Sequence, residues 1–257
     1  RIYVLSGIQN YDEELHRCLE TCDLIPVISS LSVLRQAVKV LRELGAAKVV
    51  HLKFNTGMNR LGIDETELSE CIRLLKACPS IRVEGLMSHL AGAEKKSSQV
   101  TKAQIATFRR IVKRLQEEGI HPSFLHIENS FGLKNDIFPE GNIARVGIHL
   151  YGACDPKLEP VATWTTQVYQ VRELKKGDCV GYGPIFRAKR KMKMAVLGVG
   201  YGDGYRRAFS NKADVLISGK RCRVIGAVSM DLTAVDVSSV PSVSPSDRAV
   251  LLGSDGR

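Results

Sequence analysis

Apolar residues in the first 150 positions follow two alternating rhythms: short β-branched or aliphatic runs, separated by longer stretches with helical spacing. That alternation is the pattern of βα units on a parallel sheet. It predicts strands over residues 2–5, 24–28, 48–54, 82–87, 124–127 and 143–148. Leu31, Leu34, Val38, Leu41 and Leu44 keep a helical stripe that ends at Gly45, a residue suited to closing a helix C-terminus. Asp64 with Glu67, and Thr101 with Gln104, have the spacing of capping boxes. The second would open a helix carrying Ile105, Phe108, Ile111, Val112 and Leu115 as far as Gly119. Six such strands are too few to close an eight-stranded barrel, so two further βα units are expected upstream of residue 1.

After Pro156 the rhythm becomes strictly β, with strands predicted over 164–174, 179–187, 193–199, 215–217, 222–228, 232–237 and 249–252. Tight turns at Lys176-Gly177-Asp178 and Ser218-Gly219-Lys220 separate some of them. The expected organisation is an α/β barrel domain over 1–156 and a mostly-β domain over 157–257, with the last part of the second domain lying beyond the chain.

Composition narrows the class. A chain of 257 residues with 44% hydrophobic content can bury one large core or two moderate ones, and a charged fraction of 25% gives no sign of disorder. The longest apolar runs, such as 195–199, are strand-length, so neither a membrane span nor an export signal is visible and a cytoplasmic chain is expected. The seven cysteines form no Cys-x-x-Cys pair, which reads as reduced thiols without a metal site. The net charge of +10 raises the question of nucleic acid, but the cations are dispersed. In the densest run, 187–193, Met192 and the following Met194 alternate with cations as on a strand with one solvated face, and no aromatics interleave. No nucleic-acid partner is expected. Part of the positive excess suits an anionic cofactor and substrate.

Candidate chemistry starts at residues 51–63, His-Leu-Lys-Phe-Asn-Thr-Gly-Met-Asn-Arg-Leu-Gly-Ile, where a strand runs into a glycine-containing loop and sets Lys53 and Arg60 at the mouth of a barrel. Further segments follow in order: Ser88-His89-Leu90-Ala91, His126-Ile127-Glu128-Asn129-Ser130, Ala144-Arg145-Val146-Gly147-Ile148-His149-Leu150-Tyr151-Gly152, Gly181-Tyr182-Gly183, Gly200-Tyr201-Gly202-Asp203-Gly204 and Ser229-Met230-Asp231. Taken alone, these residues also have ordinary structural readings. Lys53 could be a solvated strand-end lysine, His89 a structural histidine, Arg145 a surface arginine, Tyr182 a buried strand tyrosine, and Asp203-Gly204 a simple turn.

As a set, the segments resemble the signatures of the alanine racemases, fold-type III enzymes that use pyridoxal 5'-phosphate (PLP), across nearly the whole chain. The resemblance implies a TIM-like (β/α)8 barrel followed by a β domain, and a chain that is an internal fragment. No segment resembles the family's N-terminal strand, whose lysine forms the Schiff base with PLP, and the C-terminal tyrosine that reaches the phosphate is also outside the match. The fragment alone is therefore expected to be inactive.

The resemblance further implies roles for individual residues. Tyr182 is the second of two bases acting on opposite faces of the substrate Cα, and a tyrosine of pKa ~10 needs a neighbouring cation to act so. Arg60, Tyr201, Met230 and Asp231 belong with the substrate, Met230 through its backbone N–H. His126 lies near the pyridine ring, Arg145 donates to the pyridine nitrogen, and Ser130 with the N–H groups of Gly147 and Ile148 holds the phosphate, Asn129 orienting its neighbours. Lys53 is a candidate for carbamylation that would orient Arg60, and His89 supports Arg60 and the tyrosine from behind.

The implied reaction interconverts L- and D-alanine, supplying D-alanine for peptidoglycan, in a homodimer whose active site is shared between subunits. Three positions depart from the family pattern: Asn55 stands for an aspartate, Glu128 for a small residue, and Ala227 for an arginine. Serine or a basic amino acid on the same fold, a single-barrel PLP-homeostasis protein, and a catalytically inactive binding module are the alternatives.

Overall fold

In the computed structural model, which describes residues 2–254, the chain divides into a first unit ending at Leu150 and a second beginning at Tyr151. The first unit contains β1 (Ile2–Val4), α1 (Glu13–Thr21), β2 (Leu24–Ile28), α2 (Leu31–Leu44), β3 (Lys48–Asn55), β4 (Ile63–Asp64), α3 (Leu68–Ala77), β5 (Ile81–Met87), α4 (Gln99–Glu117), β6 (Phe124–His126) and α5 (Ser130–Lys134). Strands β1, β2, β3, β5 and β6 lie side by side in that order, all parallel, and β4 pairs with the tip of β3. This is an arc of a barrel.

Strand alternation decides which residues face the helices. Val50, Leu52 and Phe54 of β3 enter the core with Leu34, Ala37 and Leu41 of α2 and Phe108, Ile111 and Leu115 of α4. The intervening His51 and Lys53 are thereby turned to the opposite face, and they too are buried. The apolar stripe expected on α2 is observed, and Gly45 closes it with φ +60°.

Two local expectations need correction, and the Asp64 and Glu67 capping box is borne out. Residues 143–147 are irregular and 148–151 form a 3₁₀ turn instead of a sixth long strand. Among the described residues, the backbone bonds that tie this region to β6 and the turn after it are Asn142 N–H to Leu125 O (3.1 Å) and Arg145 N–H to Glu128 O (3.0 Å), too few for a ladder. Helix α4 starts at Gln99 with Ser98 as its cap, so Thr101 and Gln104 lie inside the helix and are buried. The Asp64 and Glu67 pair does cap, Glu67 accepting from the Asp64 N–H at 3.0 Å, but it opens a 3₁₀ turn that leads into α3.

The second unit contains β7 (Trp164–Leu174), β8 (Cys179–Val180), β9 (Phe186–Arg187), β10 (Met192–Leu197), β11 (Asp214–Ile217), β12 (Lys220–Arg223), β13 (Thr233–Asp236) and β14 (Arg248–Leu252). Six strands pair antiparallel in the order β12-β11-β14-β7-β10-β13, and a bridge from Val224 to Val235 joins the two ends of that path. Its interior holds Val168, Ala195, Leu197, Val215, Ile217, Val235 and Ala249. Met192 and Met194 are buried while Lys191 and Lys193 are exposed, as the alternation requires. The strand expected over 179–187 is instead a hairpin, β8 and β9, with residues 181–185 as its loop. Gly181 (φ +71°) and Gly183 (φ +68°) interrupt the extended backbone.

The loop that carries Arg60 is fixed at Gly62. Its φ is +138°, and a Cβ there would lie 2.3 Å from the backbone nitrogen of Asn55. Replacing Gly62 with alanine is expected to cost at least ~2 kcal/mol, read as a lower urea midpoint with unchanged slope. An unchanged midpoint would mean that the loop moves freely and does not fix Arg60.

Candidate functional site

Arg145 lies at the end of the irregular segment after α5 and donates into the mouths of two strands. Its Nη1 donates to His126 O at 2.9 Å and contacts His126 Nδ1 at 3.0 Å, while Nη2 donates to Ser88 O at 2.5 Å and contacts His89 Nδ1 at 3.2 Å. Guanidinium only donates, so both Nδ1 atoms accept and both rings carry their proton on Nε2. Burial, with Arg145 as the next cause, holds His89 down at about 4 and His126 at about 3. Burial also lowers Arg145 itself to about 10.

Lys53 sits on the same face of β3 and is buried. Burial lowers its ammonium pKa, and the nearby charges of Arg60 and Arg145 lower it further. Arg60 is exposed on the loop after β3. Asn55 explains its own departure from aspartate. Its Oδ1 accepts from the N–H groups of Gly57 (3.1 Å) and Asn59 (3.0 Å), and its Nδ2 donates to Asn59 Oδ1 (3.0 Å) and Asp64 Oδ1 (2.8 Å). An aspartate would lose both donated bonds and face the Asp64 carboxylate. Glu128 has a comparable local job, accepting from the N–H groups of Ile137 (3.0 Å) and Phe138 (2.9 Å).

Beside Arg145 is a cup of donors. Ser130 Oγ accepts from Gly147 N–H at 3.0 Å and His149 N–H at 3.4 Å, so its own hydroxyl proton is directed elsewhere. No atom lies within 4 Å of where a Gly147 Cβ would be. Ile148 is exposed next to it. Asn129 ties the cup down, accepting from Gly132 N–H (3.0 Å) and donating to Leu90 O (3.2 Å).

Sequence reasoning missed Gln104, His51 and Glu84. Gln104 is buried in α4, donates to His89 O (2.9 Å) and Thr56 Oγ1 (3.3 Å), and accepts from Ala91 N–H (2.9 Å), locking the loops after β3 and β5 together. Its spacing from Thr101 had the form of a cap, and nothing in the pattern signals the turn by which it faces inward. His51 could have been found from its register two positions before Lys53.

The second unit gathers the other expected residues around a cavity of 620 Å³ lined by Tyr182, Tyr201, Met230 and Asp231, with Arg207 as its cation. Arg207 was not anticipated. Tyr182 is 73% exposed, which rules out the buried-strand reading of that tyrosine. The Tyr201 turn is bolted to the opposite loop by Tyr201 N–H to Ser229 O (2.9 Å) and Gly202 N–H to Met230 O (2.8 Å). Gly200 permits the contact, since a Cβ there would lie 2.2 Å from Met230 O.

The family described as "Alanine racemase, N-terminal domain" matches residues 1–155, and "Alanine racemase, C-terminal domain" matches residues 161–257. The chain is 36% identical to an alanine racemase of Syntrophobacter fumaroxidans, covering 91% of this chain and 64% of the relative. It is 33% identical to one from Methylacidiphilum infernorum, covering 98% and 70%. It thus spans roughly two thirds of the length of these curated relatives. Among solved structures, an alanine racemase from Bartonella henselae with covalently bound pyridoxal phosphate superposes with TM-score 0.86 at 26% identity over 98% of this chain and 70% of that one. The Bacillus anthracis alanine racemase with bound L-Ala-P gives 0.83 at 27% identity over 93% and 65%.

The depressed histidine pKa values set a pH dependence of stability. Both folded-state values lie below the ~6.5 of an unfolded chain, so the unfolded chain takes up protons first as the pH falls. Stability is full above pH ~6.5 and is lost as the pH drops towards the folded values of about 4 and about 3. Urea midpoints are expected to rise between about pH 5 and pH 7, less steeply in His126→Gln. A flat profile over that window would contradict neutral imidazoles at His89 and His126.

Proposed function

The chain belongs to the alanine racemase family, and on that premise we propose that the protein containing it interconverts L- and D-alanine with PLP, providing D-alanine for the cell wall. The observation that carries the reading is the pairing of a cationic, donor-rich cup in the first unit with an exposed tyrosine cavity in the second. In this reading residues 1–156 hold the cofactor and 157–257 supply the second base. The protein is a cytoplasmic homodimer in which Tyr182, Met230 and Asp231 of one subunit serve the barrel of the other. Among the described residues no helix is long and apolar enough to cross a membrane, which fits that assignment.

The donor set suits such a cofactor. Ser130, with two N–H groups on its oxygen, has its hydroxyl proton available for a phosphate oxygen, and the open space at Gly147 leaves room for the anion beside the N–H groups of Gly147 and Ile148. Arg145 would face the pyridine nitrogen with a charge, supported by His126, and Asn129 would keep the cup in place. PLP supplies an electron sink for the carbanion left when the Cα proton departs.

The chain's own residues do the rest. Tyr182 takes or returns the proton at its phenolic oxygen. Arg60 meets the substrate or that phenolate, and the Met230 N–H with Asp231 and Tyr201 shapes the carboxylate end. Lys53, whose amine is held towards neutrality by burial and two arginines, can add CO2 and release a proton, and the resulting carbamate would be a partner for Arg60. His89 keeps its lone pair on Arg145 and acts by position, without proton transfer.

Isotope exchange in the full-length protein tests this assignment. Tyr182→Phe is expected to keep PLP binding and fold, while racemisation falls by at least ~10²-fold, the scale of a lost positioned base. Solvent deuterium should still enter one enantiomer in D2O. Unchanged racemisation would remove Tyr182 from the mechanism, and loss of PLP binding with equal loss of exchange for both enantiomers would make it structural.

A further inference from the structure

Behind Arg145 a line of polar side chains runs into the sheet. Arg145 Nη1 is 3.0 Å from His126 Nδ1, His126 Nε2 is 2.8 Å from His51 Nδ1, and His51 Nε2 is 3.6 Å from Glu84 Oε2. His51 is 0% exposed, His126 2% and Glu84 5%. We propose that Glu84 and His51 are positioning residues for Arg145: a carboxylate at one end and a guanidinium at the other lock the two imidazoles into one hydrogen-bond direction, so that Arg145 always meets an acceptor on His126.

Donors and acceptors fix the direction of each ring. A neutral imidazole has one of each, a guanidinium has no acceptor, and a carboxylate has no donor. His126 must therefore accept at Nδ1 and donate from Nε2. His51 then accepts at Nδ1, and its proton sits on Nε2, facing Glu84. That nitrogen is buried and makes no hydrogen bond within 3.5 Å among the described residues, and Glu84 Oε2, at 3.6 Å, is the acceptor it faces. Reversing either ring would set two N–H groups, or two lone pairs, against each other in a dry interior. Burial holds His51 below its ordinary pKa despite the opposing pull of Glu84, so the ring stays neutral.

The backbone is shaped around this line. Between β3 and β5, Val50 faces Val83 and the next residue, His51, faces Gly85, which leaves Glu84 as the extra residue of a bulge. Bulges re-aim side chains next to active sites. At Gly85 a Cβ would lie 2.4 Å from His51 Cε1, so only glycine leaves space for the imidazole. The rings of Tyr3 (4.5 Å) and Phe124 (6.1 Å) flank it. Arg82, at 3.6 Å, is a further charge beside Glu84, and it is exposed.

The inference rests on the proposed function only for its kinetic consequence, so the test has two arms. In ¹⁵N NMR of the histidine-labelled full-length protein, His126 and His51 are expected as single Nε2–H tautomers. Glu84→Leu leaves the buried His51 N–H without the acceptor it faces, so that reversing the line at the expense of the Arg145 contact becomes competitive, and it is expected to give His126, which it does not touch, a second Nδ1–H population. Glu84→Gln, which retains an acceptor, should restore one tautomer. In the loaded enzyme, kcat should fall on the order of tenfold in Glu84→Leu with KM unchanged, the scale for losing an outer-sphere partner, and recover in Glu84→Gln. A folded Glu84→Leu protein with His126 still a single Nε2–H tautomer would overturn the proposal. If that variant does not fold, the wild-type spectrum decides, and Nδ1–H or a cation at either ring overturns it. The expected tautomers in a protein without racemase activity would support the polar line and refute the functional reading instead.

Discussion

A guanidinium drawn partly out of solvent must find acceptors, and satisfying Arg145 organises the first unit. Its four partners are supplied by the ends of two strands: the carbonyls of Ser88 and His126 and the rings of His89 and His126. Two neutral histidines are the consequence, because a cation cannot accept from arginine and a buried cation beside it would be repelled. Lys53 shares the same electrostatic field, which is why a lysine in this position is held towards its neutral amine. The face of the sheet that a barrel ordinarily fills with aliphatic layers is here given to this polar constellation.

The second unit solves a different problem, that of presenting a tyrosine to solvent on a defined backbone. Gly181 and Gly183 turn the β8–β9 loop outward, and Gly226, whose Cβ would lie 2.6 Å from Val180 O, lets the underlying segment approach from below. Gly200 plays the same part for the Tyr201 turn. Tyr182 and Tyr201 are exposed here, whereas Lys53, His126 and Ser130 of the first unit are buried. An exposed phenol here lines one cavity with Arg207 and Asp231.

Much of this was legible in the sequence. Period-two and period-3.6 patterns gave the strands of the arc, the stripe on α2 and the β character of the second unit, because burial imposes those periods directly. The motif residues from Lys53 to Asp231 also fell into two groups that the structure brings together separately. Illegible were the features that depend on contacts distant in the chain. Residues 143–148 had strand composition but too few partners for a ladder. Gln104 had cap spacing, yet its burial is decided by the loops it holds. Glu84 and Gly85 look unremarkable until a register slip sets one of them against His51. Asn55 and Glu128, which depart from the family pattern, turn out to be satisfied by local hydrogen bonds.

In the proposed function the two sets of site residues are completed by different subunits, and mixing subunits tests this most directly. Full-length Tyr182→Phe and Arg145→Ala proteins, each nearly inactive alone, can be unfolded together and refolded as a mixture. Random pairing makes half of the dimers mixed, and a shared site predicts that each mixed dimer carries one intact site, returning about a quarter of wild-type activity. Mixed dimers that form, verified by mass, but show no more activity than the parents would contradict the account, since each subunit would then hold its own complete site.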